Sequence, residues 1–235
     1  MKDDWILSIP GWLTAHEGEF LSKAAQSVRY VQADVVEIGS YLGKSTLYLG
    51  RSADHITAID PHEGNFSGGT SSPTYKGFIK NIERAGVEHI VSPLVTTSKT
   101  AARNWKKPIS LLFIDGLHDE AHAKEDFLLW SPFVVRGGII AMHDAFCGWD
   151  GSCSVAMSYI IQSDAFSEIG VVGSIIYGVK GNAQGIKRIN KLFRKSIISL
   201  CQKIYKESIV PQWVRFILVH KLLRILLLNR FSSFV

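Results

Sequence analysis

At 235 residues, with 46% hydrophobic and 20% charged residues, the chain has ordinary globular composition and length for one α/β domain plus an appendage, which excludes a disordered polypeptide. Its three cysteines, Cys147, Cys153 and Cys201, form no C-x-x-C pair, which argues against a disulfide scaffold or zinc cluster and favours a reducing compartment. The net charge of +5 is uneven: residues 1–185 hold 15 Lys/Arg against 20 Asp/Glu, whereas residues 186–235 hold 11 Lys/Arg against one acid, Glu207. The opening Met1-Lys2-Asp3-Asp4 lacks the basic and apolar regions of a secretory signal.

In chain order, Glu17–Tyr30 reads as an amphipathic helix that precedes the first strand. Short apolar, β-branched runs then predict strands over Val35–Gly39, His55–Asp60, His89–Val95, Ser110–Asp115 and Gly138–His143. Between them, helical patterns fall at Lys44–Ser52, Tyr75–Ala85, Lys99–Trp105 and Glu120–Phe133. Alternation at this length implies a parallel sheet with helices on both faces. Phe166–Val172 and Ser174–Val179, joined at Gly173, predict a hairpin on the sheet edge. The expected fold is therefore α/β and doubly wound: a mainly parallel seven-stranded sheet with an antiparallel edge hairpin over residues 1–185, followed by a helical tail, 186–235.

The segment Glu37-Ile38-Gly39-Ser40-Tyr41-Leu42-Gly43-Lys44-Ser45 occupies the first βα turn of this scheme, where doubly wound sheets bind nucleotide-like ligands. Gly39 and Gly43 allow a sharp turn and close approach of backbone to ligand. The spacing is E-x-G-x-x-x-G and not G-x-G-x-x-G, so the pyrophosphate cradle of dinucleotide enzymes is absent. The acid Glu37 suits a ligand with an amino group, and S-adenosylmethionine (SAM) meets that description. Asp60, at the end of the second strand, can accept two hydrogen bonds from a ribose diol. The polar stretch Pro61–Pro73 follows a strand's C-terminal end and reads as a lid over the cofactor, a plain connector being the alternative.

Two further strands run straight into acids: Phe113-Ile114-Asp115-Gly116-Leu117-His118 and Gly137-Gly138-Ile139-Ile140-Ala141-Met142-His143-Asp144. Adjacent in a parallel sheet, Asp115 and Asp144 would repel each other unless a cation intervened, which points to a divalent ion such as Mg²⁺. His118, on the loop beyond Asp115, is placed to take a proton from a hydroxyl nucleophile. His143 is a further metal donor, although strand alternation turns its side chain away from that of Asp144.

Together, the Glu37–Ser45 turn, Asp60 and the two acid-ended strands resemble the class I SAM-dependent methyltransferases, within the branch of catechol O-methyltransferase and the metal-dependent macrolide-sugar O-methyltransferases. The resemblance spans roughly residues 15–180. It implies that Gly39, Ser40, Tyr41 and Ser45 line the methionine end of SAM, that Asp60 holds the ribose and that Ser98 lies near the adenine. It also implies metal ligation by Asp115, His143 and Asp144, with His118 at the position of the family's catalytic base. The departure is His143, an imidazole where the family offers a second oxygen ligand.

In the tail, Ile186, Ile189, Phe193, Ile197, Leu200 and Ile204 recur at helical spacing among basic residues, and Trp213–Leu228 forms a second, more apolar segment after Pro211. Both suit the interface of an anionic membrane and are too charged or too short to span one. Packing on the domain or a homo-oligomer interface are the alternatives, and no base-stacking motif supports nucleic-acid binding. The expectation is a cytoplasmic enzyme, peripheral on the inner membrane face, that methylates a hydroxyl of a saccharide or glycan acceptor. The alternatives are a small-molecule O-methyltransferase acting on a phenol or secondary metabolite, or a SAM-binding, membrane-tethered interaction protein without transfer activity.

Overall fold

A computed structural model describes residues 4–64, 73–146 and 150–182. The chain forms α1 (Asp4–Leu7), α2 (Ala15–Ser27), β1 (Asp34–Ile38), α3 (Lys44–Gly50), β2 (Ile56–Ile59), α4 (Tyr75–Ala85) and β3 (Val91–Leu94). It continues through α5 (Ser98–Ala102), β4 (Ile109–Ile114), α6 (Glu120–Trp130), β5 (Val134–Met142), α7 (Asp150–Ala156), β6 (Phe166–Val172) and β7 (Ile175–Lys180). The seven strands form one sheet in the order β3-β2-β1-β4-β5-β7-β6. The pairs among β1 to β5 are parallel, and β7 runs antiparallel to both β5 and β6. This is the expected doubly wound sheet with an antiparallel edge hairpin.

Both faces of the sheet are covered, so its central strands are apolar throughout. Along β4, Leu112 and Ile114 face one core with Val36, Ile140, Phe127 and Trp130, while Leu111 and Phe113 face the other with Val35, Ile139, Phe20 and Tyr177. Alternate side chains point to opposite faces, which divides a continuous apolar run between two layers.

Strands and helices fall within a few residues of expectation, with shorter ends at β3 and α5. Two helices had no counterpart in the sequence reading, the short α1 and α7, which extends through a π-helical turn at Met157–Ile161. The start of α7, Asp150-Gly151-Ser152-Cys153, is small and polar, yet Val155, Ala156, Ile160 and Ile161 pack into the core with Trp130. The helix therefore owes its stability to tertiary packing rather than to propensity. Most of the expected lid and the whole 186–235 tail lie outside the described residues.

Candidate active site

β1 and β4 are neighbours although consecutive connections carry the chain away from each of them, so the strand order reverses between them and leaves a crevice at their C-terminal ends. Gly39 sits at that point with φ +87°, and a Cβ there would lie 2.0 Å from the Asp115 carbonyl oxygen. Only glycine allows the two strand exits to approach this closely. Among the described residues, three that are not glycine also have positive φ, namely Tyr41, His62 and Asp144, and they follow β1, β2 and β5 respectively. Backbone strain thus concentrates at the rim of the crevice, as it does at functional sites.

A cavity of about 490 Å³ opens there, within the usual range for ligand pockets. Of the residues singled out in the sequence, Gly39, Ser40, Tyr41, Ser45, Asp60, Ser98, Asp115, His118, His143 and Asp144 all line it. Glu37 and Gly43 do not reach its wall. The Glu37 side chain is fully buried beneath the turn and accepts a hydrogen bond from the Thr46 hydroxyl. Burial pushes its carboxyl up to about 7, against the hydroxyl hydrogen bonds of Ser45 and Thr46 and with the charges of Asp115 and Asp60 adding to the rise. Asp60 ties two exits together, accepting from the Tyr41 N–H at 2.8 Å and the His62 N–H at 2.6 Å. Ser98 Oγ donates to Asp126, whose buried carboxyl is pushed up to about 6 by desolvation despite that bond.

At the other end of the cavity, Asp115, His118 and Asp144 place ligating atoms within 4.8 Å of one another. His118 Nδ1 is 3.3 Å from Asp144 Oδ2, and its Nε2 is 3.6 Å from Asp115 Oδ1. His143 Nδ1 lies 3.1 Å from Asp115 Oδ1 and 3.4 Å from Asp144 Oδ2. Simple alternation would separate His143 from Asp144; the left-handed backbone at Asp144, φ +49°, turns its carboxylate back towards the ring.

Behind His143 stands Glu17, a residue the sequence reading placed only in a helix. It is 2% exposed, and its Oε2 lies 3.6 Å from His143 Nε2. The same carboxylate closes a capping box with Thr14 and accepts from the Ser174 N–H and hydroxyl at 2.7 and 2.8 Å. Burial alone would raise Glu17, but His143 and the donors of Thr14 and Ser174 outweigh it and hold the carboxyl at about 2. Desolvation likewise opposes a charge on His143, yet Asp115, Asp144 and Glu17 raise its pKa well above 6.5. Neither ring nitrogen completes a well-aligned hydrogen bond with these acids, so the contacts are electrostatic. The Thr14-x-x-Glu17 spacing was the available sequence signal for this residue.

The fold and the cavity define the class: a doubly wound domain with a ligand-sized cavity at its topological switch point and a cluster of acids and imidazoles beside it. Residues 36–145 match the family model described as a methyltransferase domain, and the fold is that of the class I methyltransferases. Similar solved structures carry the same fold. An O-methyltransferase from Bacillus cereus in complex with SAH matches 75% of this chain and 90% of its own, at 19% identity and TM-score 0.57. The O-methyltransferase TomG from Streptomyces achromogenes, in complex with SAM, matches 72% and 82%, at 17% identity and TM-score 0.55. A TDP-rhamnose 3′-O-methyltransferase of calicheamicin biosynthesis matches 77% and 87%, at 16% identity and TM-score 0.53.

Proposed function

We propose that the protein is a SAM-dependent O-methyltransferase that methylates a hydroxyl of a saccharide acceptor, with His118 as general base. The carrying observation is one cavity that joins the Gly39–Ser45 turn, Asp60 and Ser98 to the Asp115, His118 and Asp144 cluster. The donor set fits SAM: an acid at the end of β2 for the ribose, a hydroxyl at Ser98 towards the adenine, and an open turn of Gly39, Ser40, Tyr41 and Ser45 for the methionine end. Bound there, SAM supplies an electrophilic methyl group on its sulfonium. An acceptor hydroxyl aligned with that methyl group would take it, and His118 would take the hydroxyl proton. Alignment of the oxygen behind the methyl group carries much of the rate, which favours a rigid cavity floor such as the β1/β4 approach.

Asp115 and Asp144, with His143 beside both, would hold a divalent ion, which would lower the cost of forming the alkoxide and leave the proton to His118. The two carboxylates suit Mg²⁺, whereas imidazole donors suit a transition ion such as Mn²⁺ equally well. A saccharide acceptor is favoured by the exposed Trp12 and Leu117 on the cavity rim, 57% and 47% exposed, because the apolar face of a sugar ring packs on such surfaces. The TDP-rhamnose enzyme among the structural neighbours supports the same choice. A phenolic acceptor would use the same rim and is the second reading.

Methyl transfer from radiolabelled SAM to a panel of nucleotide sugars and catechols tests both readings. Nucleotide sugars should be labelled, activity should fall with EDTA and return with Mg²⁺ or Mn²⁺, and His118→Ala should lose on the order of a hundredfold in turnover with SAM affinity retained. Label on catechols alone would replace the sugar reading. Full activity in EDTA would remove the metal, and unchanged turnover in the variant would remove the base.

A further inference from the structure

Among the residues that line the cavity, the acids are Asp60, Glu63, Asp115, Asp126 and Asp144, whereas Lys44 supplies the one lysine or arginine side chain. Lys44 is 8% exposed. Its Nζ donates to the Gly11 carbonyl oxygen at 2.9 Å and forms no ion pair with any acid among the described residues. An ammonium taken out of water without a counter-charge is costly, and burial lowers its pKa. Such a group facing a ligand cavity points to an anionic group on the ligand.

On the SAM reading, we propose that Lys44 is a binding residue for the α-carboxylate of the cofactor's methionine end, and that Gly11 holds its ammonium in place. SAM carries two positive groups, its ammonium and sulfonium, and a single carboxylate. The cavity carries the complementary set: several carboxylates and one ammonium. Lys44 lies next to Gly43 and Ser45, on the turn assigned to the methionine portion. The bond to Gly11 joins that turn to the Pro10–Leu13 segment, which also lines the cavity. A carboxylate there would give Lys44 the counter-charge that no acid among the described residues supplies, and would tie the N-terminal segment to cofactor occupancy.

Calorimetric titration of the full chain with S-adenosylhomocysteine and with its decarboxylated analogue tests this without any acceptor. The wild type should bind S-adenosylhomocysteine on the order of tenfold tighter than the analogue, as a charge-assisted contact predicts. Lys44→Met should weaken S-adenosylhomocysteine by about the same factor and leave the analogue nearly unchanged, and Lys44→Arg should restore the difference. If Lys44→Met does not fold by circular dichroism, Lys44→Gln, which keeps a donor for Gly11, replaces it. A tenfold preference that persists in the folded neutral variant, or equal binding of both ligands by the wild type, overturns the proposal while leaving the SAM reading intact. Failure of the wild type to bind either ligand overturns both.

Discussion

Glu37 shows how one residue can be legible in type while its surroundings are not. Its position at the end of β1 marks the first βα turn, and its carboxylate is fully buried and accepts from the Thr46 hydroxyl. Its pKa is raised from 4.5 to about 7, so the stability it contributes is complete below about pH 4.5 and is lost as pH rises through about 7. The shift corresponds to about 3 kcal/mol across that window. Glu37→Gln should therefore flatten the pH dependence and be more stable than the wild type at pH 8 but not at pH 4.5. Urea denaturation at the two pH values checks this, and parallel curves for the two proteins would refute it. Lys44 was equally visible inside that turn, but nothing in the sequence told that its ammonium would donate to the Gly11 carbonyl.

At the scale of elements, the Gly173–Ser174 turn between β6 and β7 couples remote parts of the site. Ser174 donates its N–H and hydroxyl to Glu17 on one side, while its hydroxyl accepts from the Asp144 N–H at 3.3 Å and its carbonyl accepts from the Ala145 and Phe146 N–H groups at 3.0 and 2.9 Å. The first turn of α2 is thus fastened to the strained exit of β5 through the hairpin. Gly173 has φ +60°, and a Cβ there would lie 2.3 Å from Glu17 Oε1. Gly173→Ala should cost about 1–3 kcal/mol through strain at positive φ and displacement of Glu17. A fall in the denaturation midpoint at unchanged slope would bear this out; a change below about 0.5 kcal/mol would show that the turn yields freely. A second tie closes the Pro61–Pro73 segment at its base, where His62 Nδ1 and Thr74 Oγ1 are 2.9 Å apart and the His62 ring packs near Tyr75 and Phe78.

For the whole molecule, charge separates the domain from the tail: residues 1–185 are net acidic and 186–235 strongly basic. Among the described residues no helix is long and apolar enough to cross a membrane. If the tail adsorbs to anionic lipid at about 1 kcal/mol per basic residue near the surface, deleting 186–235 should abolish co-sedimentation with phosphatidylserine vesicles. Equal sedimentation of both forms would assign the tail another role. By itself, the sequence determined the order of strands and helices, the edge hairpin, and most of the residues that meet at the crevice, because strand period, branched runs and acids at strand ends are local signals. Only the tertiary structure decided which charges meet. Glu17 lies 126 residues from His143 in the chain, and Gly11 lies 33 from Lys44. Such pairings arise where separate elements pack together, so no local pattern encodes them. The direction of Asp144 was decided in the same way, by a left-handed backbone that the neighbouring hairpin holds in place.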